Sequence, residues 1–266
     1  MSKRLTVQDI VGFKTRGEKL AALTAYDYYT AKFLDRAGVD IVLVGDSMNM
    51  VIYGEENTLT LDLEQSVYHT RAVASALERA LLVGDMPFLS YQPSVRDAVI
   101  SAGQFIRAGA QAVKIEGGRA FLPHINAILN AGIPVMGHLG MTPQSFHKFG
   151  GYRLVGKTDD EASRVIEAAT ALAEAGVFSI VIEKVPRQLA KRVTEALDIP
   201  IIGIGAGPDC DGQILVVNDI LGLFDNFSPK FARKYAQLSK IITDSVQKYV
   251  EDVKKSDFPN DSESYE

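Results

Sequence analysis

Eight short apolar runs punctuate the chain, at Leu20–Thr24, Ile41–Gly45, Leu81–Gly84, Ala112–Glu116, Pro134–Gly137, Ser179–Glu183, Pro200–Gly203 and Ile214–Val217. Their nearly continuous aliphatic character predicts strands buried on both faces. Between them, apolar residues recur at helical spacing over Tyr29–Ala37, Leu63–Leu77, Val95–Ala108, Ala120–Asn130, Asp159–Ala175 and Pro186–Leu197. Gly38, Gly109, Gly132 and Gly176 stand where a left-handed C-terminal cap would stop a helix before the next strand. Alternation of strand and helix predicts βα units on a parallel sheet, and hence the α/β class and a single (β/α)8 barrel. The 266 residues match the roughly 250 that such a barrel needs.

Three segments fall outside the alternation. Tyr235, Leu238, Ile242, Val246, Tyr249 and Val253 form an apolar stripe on a long closing helix, suited to cover the barrel or to meet another subunit. The barrel with this helix is expected to occupy residues 1–255, and the acidic residues 256–266 to be a disordered tail. Gly140–Lys157 follows a strand end without periodicity and is a candidate lid or binding loop.

Composition removes several classes of function. Net charge is −5 with acidic and basic residues interspersed, so no basic stripe exists for nucleic acid. The single cysteine, Cys210, cannot form an internal disulfide, and no Cys/His cluster has zinc spacing. Neither a signal core nor an apolar run of membrane-spanning length is present, so the expectation is a soluble cytoplasmic protein with no membrane partner.

In a parallel barrel the C-terminal strand ends share one mouth. Here they carry Asp46-Ser47, Asp85, Lys114, Glu116, His138 and Glu183. Lys114 and Glu116 lie two apart on one strand and so share a face. Asp46 or Asp85 alone reads more often as a cap or turn residue. With Glu116 they form an all-oxygen set, which selects magnesium over zinc or copper. Glu183 reads either as half of a buried salt bridge or, in a low-dielectric setting, as a proton acceptor. His138 is open between a hydrogen-bonded core histidine and a site residue. His69 and His124 fall on helical patterns. Cys210 has no local base beside it, and Gly203–Pro208 lacks the spacing of a dinucleotide-binding turn.

The motifs Leu23-Thr24-Ala25-Tyr26-Asp27, Gly45-Asp46-Ser47, Gly84-Asp85-Met86-Pro87-Phe88, Val113 to Gly118, Gly137 to Gln144, Gly150-Gly151-Tyr152 and Gly203 to Gln213 together resemble ketopantoate hydroxymethyltransferases, in order from about Thr6 to Val250. The resemblance implies a Mg2+-dependent TIM barrel that moves a one-carbon unit from 5,10-methylenetetrahydrofolate to 3-methyl-2-oxobutanoate. It implies Asp46, Asp85 and Glu116 around the metal, and Asp46, Ser47, Asp85, Lys114 and His138 at the substrate. Glu183 would be the proton acceptor, and the assembly a homo-oligomer, a decamer in the family. The chain departs from the family pattern at Met48-Asn49, Leu89, Lys184 and Asn218, with Leu89 in place of a glycine. A folate-independent lyase, a Schiff-base aldolase using Lys114 or Lys184, and a catalytically silent oxo-acid binder are the rival readings.

Overall fold

The computed structural model describes residues 4–224 and 229–265. All eight runs become strands: β1 Leu20–Thr24, β2 Ile41–Val44, β3 Leu81–Asp85, β4 Ala112–Glu116, β5 Val135–Gly140, β6 Ser179–Glu183, β7 Ile201–Ile204 and β8 Gly212–Leu215. They pair in chain order, and β8 closes on β1. Every pairing is parallel. The fold is the expected TIM barrel.

The helices that precede and surround the sheet are α1 Val7–Thr15, α2 Tyr28–Arg36, α3 Met48–Val51, α4 Leu63–Ala74, α5 Val95–Arg107, α6 Leu122–Asn130, α7 Phe146–Phe149, α8 Asp159–Ala175 and α9 Arg187–Ala196. Short polar side chains start several of them. Asp27, Asp62, Ser94 and Thr158 each accept a backbone N–H of the first turn. The alternation is broken once, because β7 passes to β8 through residues 205–211 without a helix. β8 also begins two residues earlier than its apolar pattern suggests, since Gly212 pairs with both Leu20 and Ile202.

The lower half of the barrel interior is apolar. Leu20, Ala22, Ile41, Leu43, Leu81, Val83, Ala112, Met136, Val181, Ile202 and Ile214 form one cluster, which Ile10 of α1 joins from below. α1 therefore plugs the N-terminal end. Its capping box, in which Thr6 and Asp9 hold each other's backbone N–H, fixes where it starts. Truncating the fully buried Ile10 to alanine would cost about 2–5 kcal/mol.

The chain divides into two compact units, Met1–Val216 and Val217–Glu266. The second contains α10 Val217–Leu221 and α11 Leu238–Lys254. Ile242, Val246, Tyr249 and Val253 of the anticipated stripe are exposed along α11, at 44–56 %. Asn260 caps a 3-10 turn, Asp261–Glu263, in the C-terminal segment. No described helix is long and apolar enough to cross a membrane.

Candidate active site

The period of two along each strand decides what enters the lumen. Leu81, Val83, Ala112, Met136 and Val181 lie in the interior cluster. Two residues further on the same strands stand Asp85, Lys114, His138 and Glu183, and Glu116 follows Lys114 by two more. Asp46 and Ser47 follow β2, and Ser47 leads into α3. All the expected site residues thus share the mouth. Asp46, Asp85, Lys114, Glu116 and His138 are each no more than 4 % exposed.

Lys114 is the hub. Its Nζ lies 2.7 Å from Asp85 Oδ1 and 3.6 Å from Glu116 Oε1. It also lies 3.1 Å from His138 Nδ1. His138 Nδ1 is 3.2 Å from Glu116 Oε1, and Nε2 is 3.3 Å from Glu183 Oε2. An ammonium has only protons to offer, so it leaves Nδ1 as acceptor and places the imidazole proton on Nε2, toward Glu183. Burial lowers the His138 pKa, the Lys114 charge lowers it further, and Glu183 opposes both. The neutral ring follows. On Lys114 the order is reversed: burial works against its charge, but Asp85, Glu116 and Asp46 together outweigh burial and raise its pKa.

The carboxyls carry the opposite strain. Burial raises Asp46, with the Glu116 charge adding to it, and burial raises Glu116 against the pull of Lys114. Asp85 is pushed up furthest, again chiefly by burial. One ammonium does not balance three buried carboxylates, so the mouth favours a further cation. The donors are hard oxygens. Asp85 Oδ1 is buried without an aligned hydrogen-bond donor despite its contact with Lys114. Among the described residues no three His, Cys, Asp or Glu side chains enclose an ion by themselves. Magnesium does not need such a cage, because it keeps waters and substrate oxygens and takes one or two carboxylates. The residues fit an open site of that kind.

Three residues with no assigned role in the sequence complete the site. Tyr26 OH is 2.8 Å from Ser47 Oγ. Tyr91 OH reaches Glu116 O at 2.9 Å and Gln144 Oε1 at 3.0 Å. Gln144 donates its backbone N–H to Glu116 Oε2 and its side-chain amide to Asp46 Oδ2. A tyrosine and a glutamine signal no chemistry by type, and only the fold reveals their partners. His69 instead spans Tyr26 O and Tyr53 OH, and His124 lies against the Phe121 ring. Buried Cys210 has its thiol pKa raised, first by burial, which disfavours a nucleophile.

The candidate lid is a strap hung beside Glu183. At one end Gly140 pairs with Glu183 and Met141 N–H donates to Glu183 O; at the other, Val155 N–H donates to Lys184 O. Glycine is required at 140, where φ is +89° and an added Cβ would strike the Glu183 backbone. Tyr152 OH lies 3.4 Å from Met50 Sδ, just past β2, and Lys184 Nζ stands over the Tyr152 ring, just past β6. β2 and β6 are opposite in the closed sheet. Tyr152 therefore crosses the mouth. Burial and the charges of Asp46, Glu183 and Glu116 push its pKa up to about 12, so the phenol stays protonated. Leu89 and Lys184 adopt left-handed backbone, with φ of 63° and 46°. That region favours glycine, which agrees with the glycine anticipated at 89.

A (β/α)8 barrel that gathers acids, a lysine and a neutral histidine at its C-terminal mouth defines a barrel enzyme for a small charged substrate. More specifically, the chain belongs to the ketopantoate hydroxymethyltransferase family, whose profile matches residues 4–261. It is 53% identical over 260 residues to the 3-methyl-2-oxobutanoate hydroxymethyltransferase of Syntrophobacter fumaroxidans, covering 97% of this chain and 92% of that one. The protein of the same name from Moorella thermoacetica is 50% identical, covering 98% of both chains. Among solved structures, phosphonopyruvate hydrolase complexed with oxalate and Mg2+ aligns with a TM-score of 0.63 at 15% identity, covering 97% and 93% of the two chains. A 2,3-dimethylmalate lyase of the PEP mutase/isocitrate lyase superfamily aligns with a TM-score of 0.59 at 15% identity, covering 96% and 90%. These two likenesses concern the fold alone.

Proposed function

We infer that this chain transfers a hydroxymethyl group from 5,10-methylenetetrahydrofolate to 3-methyl-2-oxobutanoate, forming 2-dehydropantoate for pantothenate synthesis. Full-length identity of about half to relatives of that name carries the reading. The chemistry of the mouth supports it.

Asp46, Asp85 and Glu116 are the proposed holders of Mg2+, with Asp46, Ser47, Asp85, Lys114 and His138 around the oxo acid. When bound, the ion supplies a Lewis acid that draws electron density from the ketone oxygen. Lys114 sets a buried positive charge where the substrate carboxylate needs one. Glu183 takes the C3 proton, and His138 Nε2 faces that carboxylate at 3.3 Å. The carbanion equivalent at C3 then bonds to the folate-borne methylene carbon. That carbon's bonds to both folate nitrogens break, one as the carbon–carbon bond forms and the other as water supplies the hydroxyl, and tetrahydrofolate leaves with the protons. Tyr152, across the mouth and partly exposed, is the proposed contact for the incoming pterin. The finer parts of the reading are a homodecamer, whose mass sedimentation would give, and a cytoplasmic location.

Proton NMR of 3-methyl-2-oxobutanoate in heavy water with enzyme and Mg2+ tests the reading. Loss of the C3 signal without folate, and hydroxymethyl product only with folate, is the expected pair of results. Cleavage of substrate without folate would indicate a lyase instead. Borohydride trapping of substrate on Lys114 or Lys184 would indicate an aldolase.

A further inference from the structure

Asp46, Asp85 and Glu116, three of the mouth carboxylates, each have one oxygen tied by an N–H donor. Asp85 Oδ2 accepts the Asp46 backbone N–H at 3.0 Å. Glu116 Oε2 accepts the Gln144 backbone N–H at 2.9 Å, and Asp46 Oδ2 accepts Gln144 Nε2 at 3.1 Å. A single residue past the end of β5 thus grips acids delivered by β2 and β4. We propose that Gln144 is the positioning residue of this site, aiming the Asp46 and Glu116 carboxylates so that the second oxygen of each faces the bound cation. The proposal rests on the reading of Asp46, Asp85 and Glu116 as cation holders.

The amide cannot serve either way round. Nε2 also donates to Met86 O at 2.9 Å, while Oε1 receives Gln92 Nε2 at 2.9 Å and faces Tyr91 OH at 3.0 Å. Flipping it would set an oxygen against the Asp46 carboxylate and the Met86 carbonyl, neither of which has a proton to give, and an NH2 against the Gln92 NH2. Gln92 is itself oriented, since its Oε1 accepts the Tyr91 backbone N–H at 3.4 Å. Tyr91 is 1 % exposed and packs edge-on against Phe121, with ring centroids 5.4 Å apart. The donor aimed at Asp46 is therefore set by Met86, Tyr91 and Gln92, none of which hydrogen-bonds Asp46 itself. Outer groups that orient metal ligands in this way are worth about 10–100-fold in metal affinity.

The test is Mn2+ binding, read as the free-ion signal in electron paramagnetic resonance, with 3-methyl-2-oxobutanoate present. Gln144→Met keeps length, burial and the main-chain link to Glu116 while removing the donor to Asp46. Its affinity for Mn2+ should fall about 10–100-fold. Gln144→Glu keeps an acceptor for Gln92 but turns a carboxylate on Asp46, and should bind worse still. Gln92→Leu touches no mouth carboxylate, yet should lower affinity several-fold by releasing the amide. Melting of the metal-free variants separates this from general damage: a structural role would lower the melting point and leave the Mn2+ affinity of the folded fraction unchanged. Parental affinity in Gln144→Met overturns the proposal. Should that variant not fold, parental affinity in Gln92→Leu overturns it equally. A parent protein that binds no Mn2+, or an Asp85→Asn variant that binds it unchanged, would sink the metal reading and the proposal with it.

Discussion

Two lysines occupy the two ends of one barrel, and their surroundings differ in kind. At the plugged end, Lys14 Nζ meets three acceptors, Thr194 O at 2.7 Å, Ile199 O at 3.2 Å and Asp211 Oδ2 at 2.8 Å, one for each of its protons. Asp211 also receives the Ile201 N–H, and nearby Asp35 takes the N–H groups of Glu78, Arg79 and Ala80. At the mouth, Lys114 faces Asp85, Glu116 and His138, while Asp85 Oδ1 and His138 Nε2 remain buried without aligned partners. Lys14 and Asp211 finish their hydrogen bonding with each other and with main-chain groups, whereas Lys114 is shared among groups it does not fully satisfy. A lysine whose three protons each have an acceptor is structural, and one set among more carboxylates than it can balance is free to serve a ligand.

The largest effect that would sharpen this contrast belongs to Glu183→Gln. The amide still hydrogen-bonds but accepts no proton, so oxo-acid binding should stay near parental while C3 exchange in heavy water falls by about a hundredfold or more. Rapid exchange in that variant would hand the proton transfer to another group, His138 first. Asp85→Asn comes next. It removes the charge of the carboxylate whose buried Oδ1 meets Lys114 without an aligned hydrogen bond, and calorimetry should show Mg2+ and oxo-acid affinity falling together, on the order of tenfold or more.

A matched pair of variants could break the comparison outright. Lys114→Ala should abolish tight oxo-acid binding with modest change in melting temperature, because the carboxylates it abandons can take up protons. Lys14→Ala should lose about 1–3 kcal/mol of stability, having orphaned three acceptors, and keep parental binding. If the two outcomes were exchanged, polar satisfaction would not distinguish the lysines. The smallest effect is expected at the strap. Tyr152→Ala should raise the KM for 5,10-methylenetetrahydrofolate several-fold and leave folate-independent C3 exchange alone; impaired exchange would place Tyr152 with the proton transfer.

Where the lumen begins could be read from period two alone. Ala112, Lys114 and Glu116 had to share a face, and the alternation of βα units made that face the interior. Asp46 and Asp85, each alone as readily a cap or turn residue, became candidates only as a set with Glu116 at one shared mouth. Gln213 and Gly212 misled, because a small and a polar residue disguise the start of β8 that pairing reveals. His138 was ambiguous until β5 proved to run on to Gly140, which keeps it within the strand between Lys114 and Glu183. Gln144 and Tyr91 were illegible for another reason. Their roles lie in partners contributed by distant strands, and nothing in their own spacing announces those partners.

The strap from Gly140 to Val155 starts on Glu183 and finishes on its neighbour Lys184. Such a segment is an Ω-loop in miniature: its ends are already together, so extra residues inserted within it cost little closure entropy and push nothing apart. Beyond Gln144, which is tied to Asp46 and Glu116, its length and side chains can therefore drift, altering what the roof admits, while the proton acceptor beneath keeps its place on β6. Substrate choice and acid–base chemistry sit on separately editable pieces of chain, and a barrel of this design can be retuned for a different second substrate without being rebuilt.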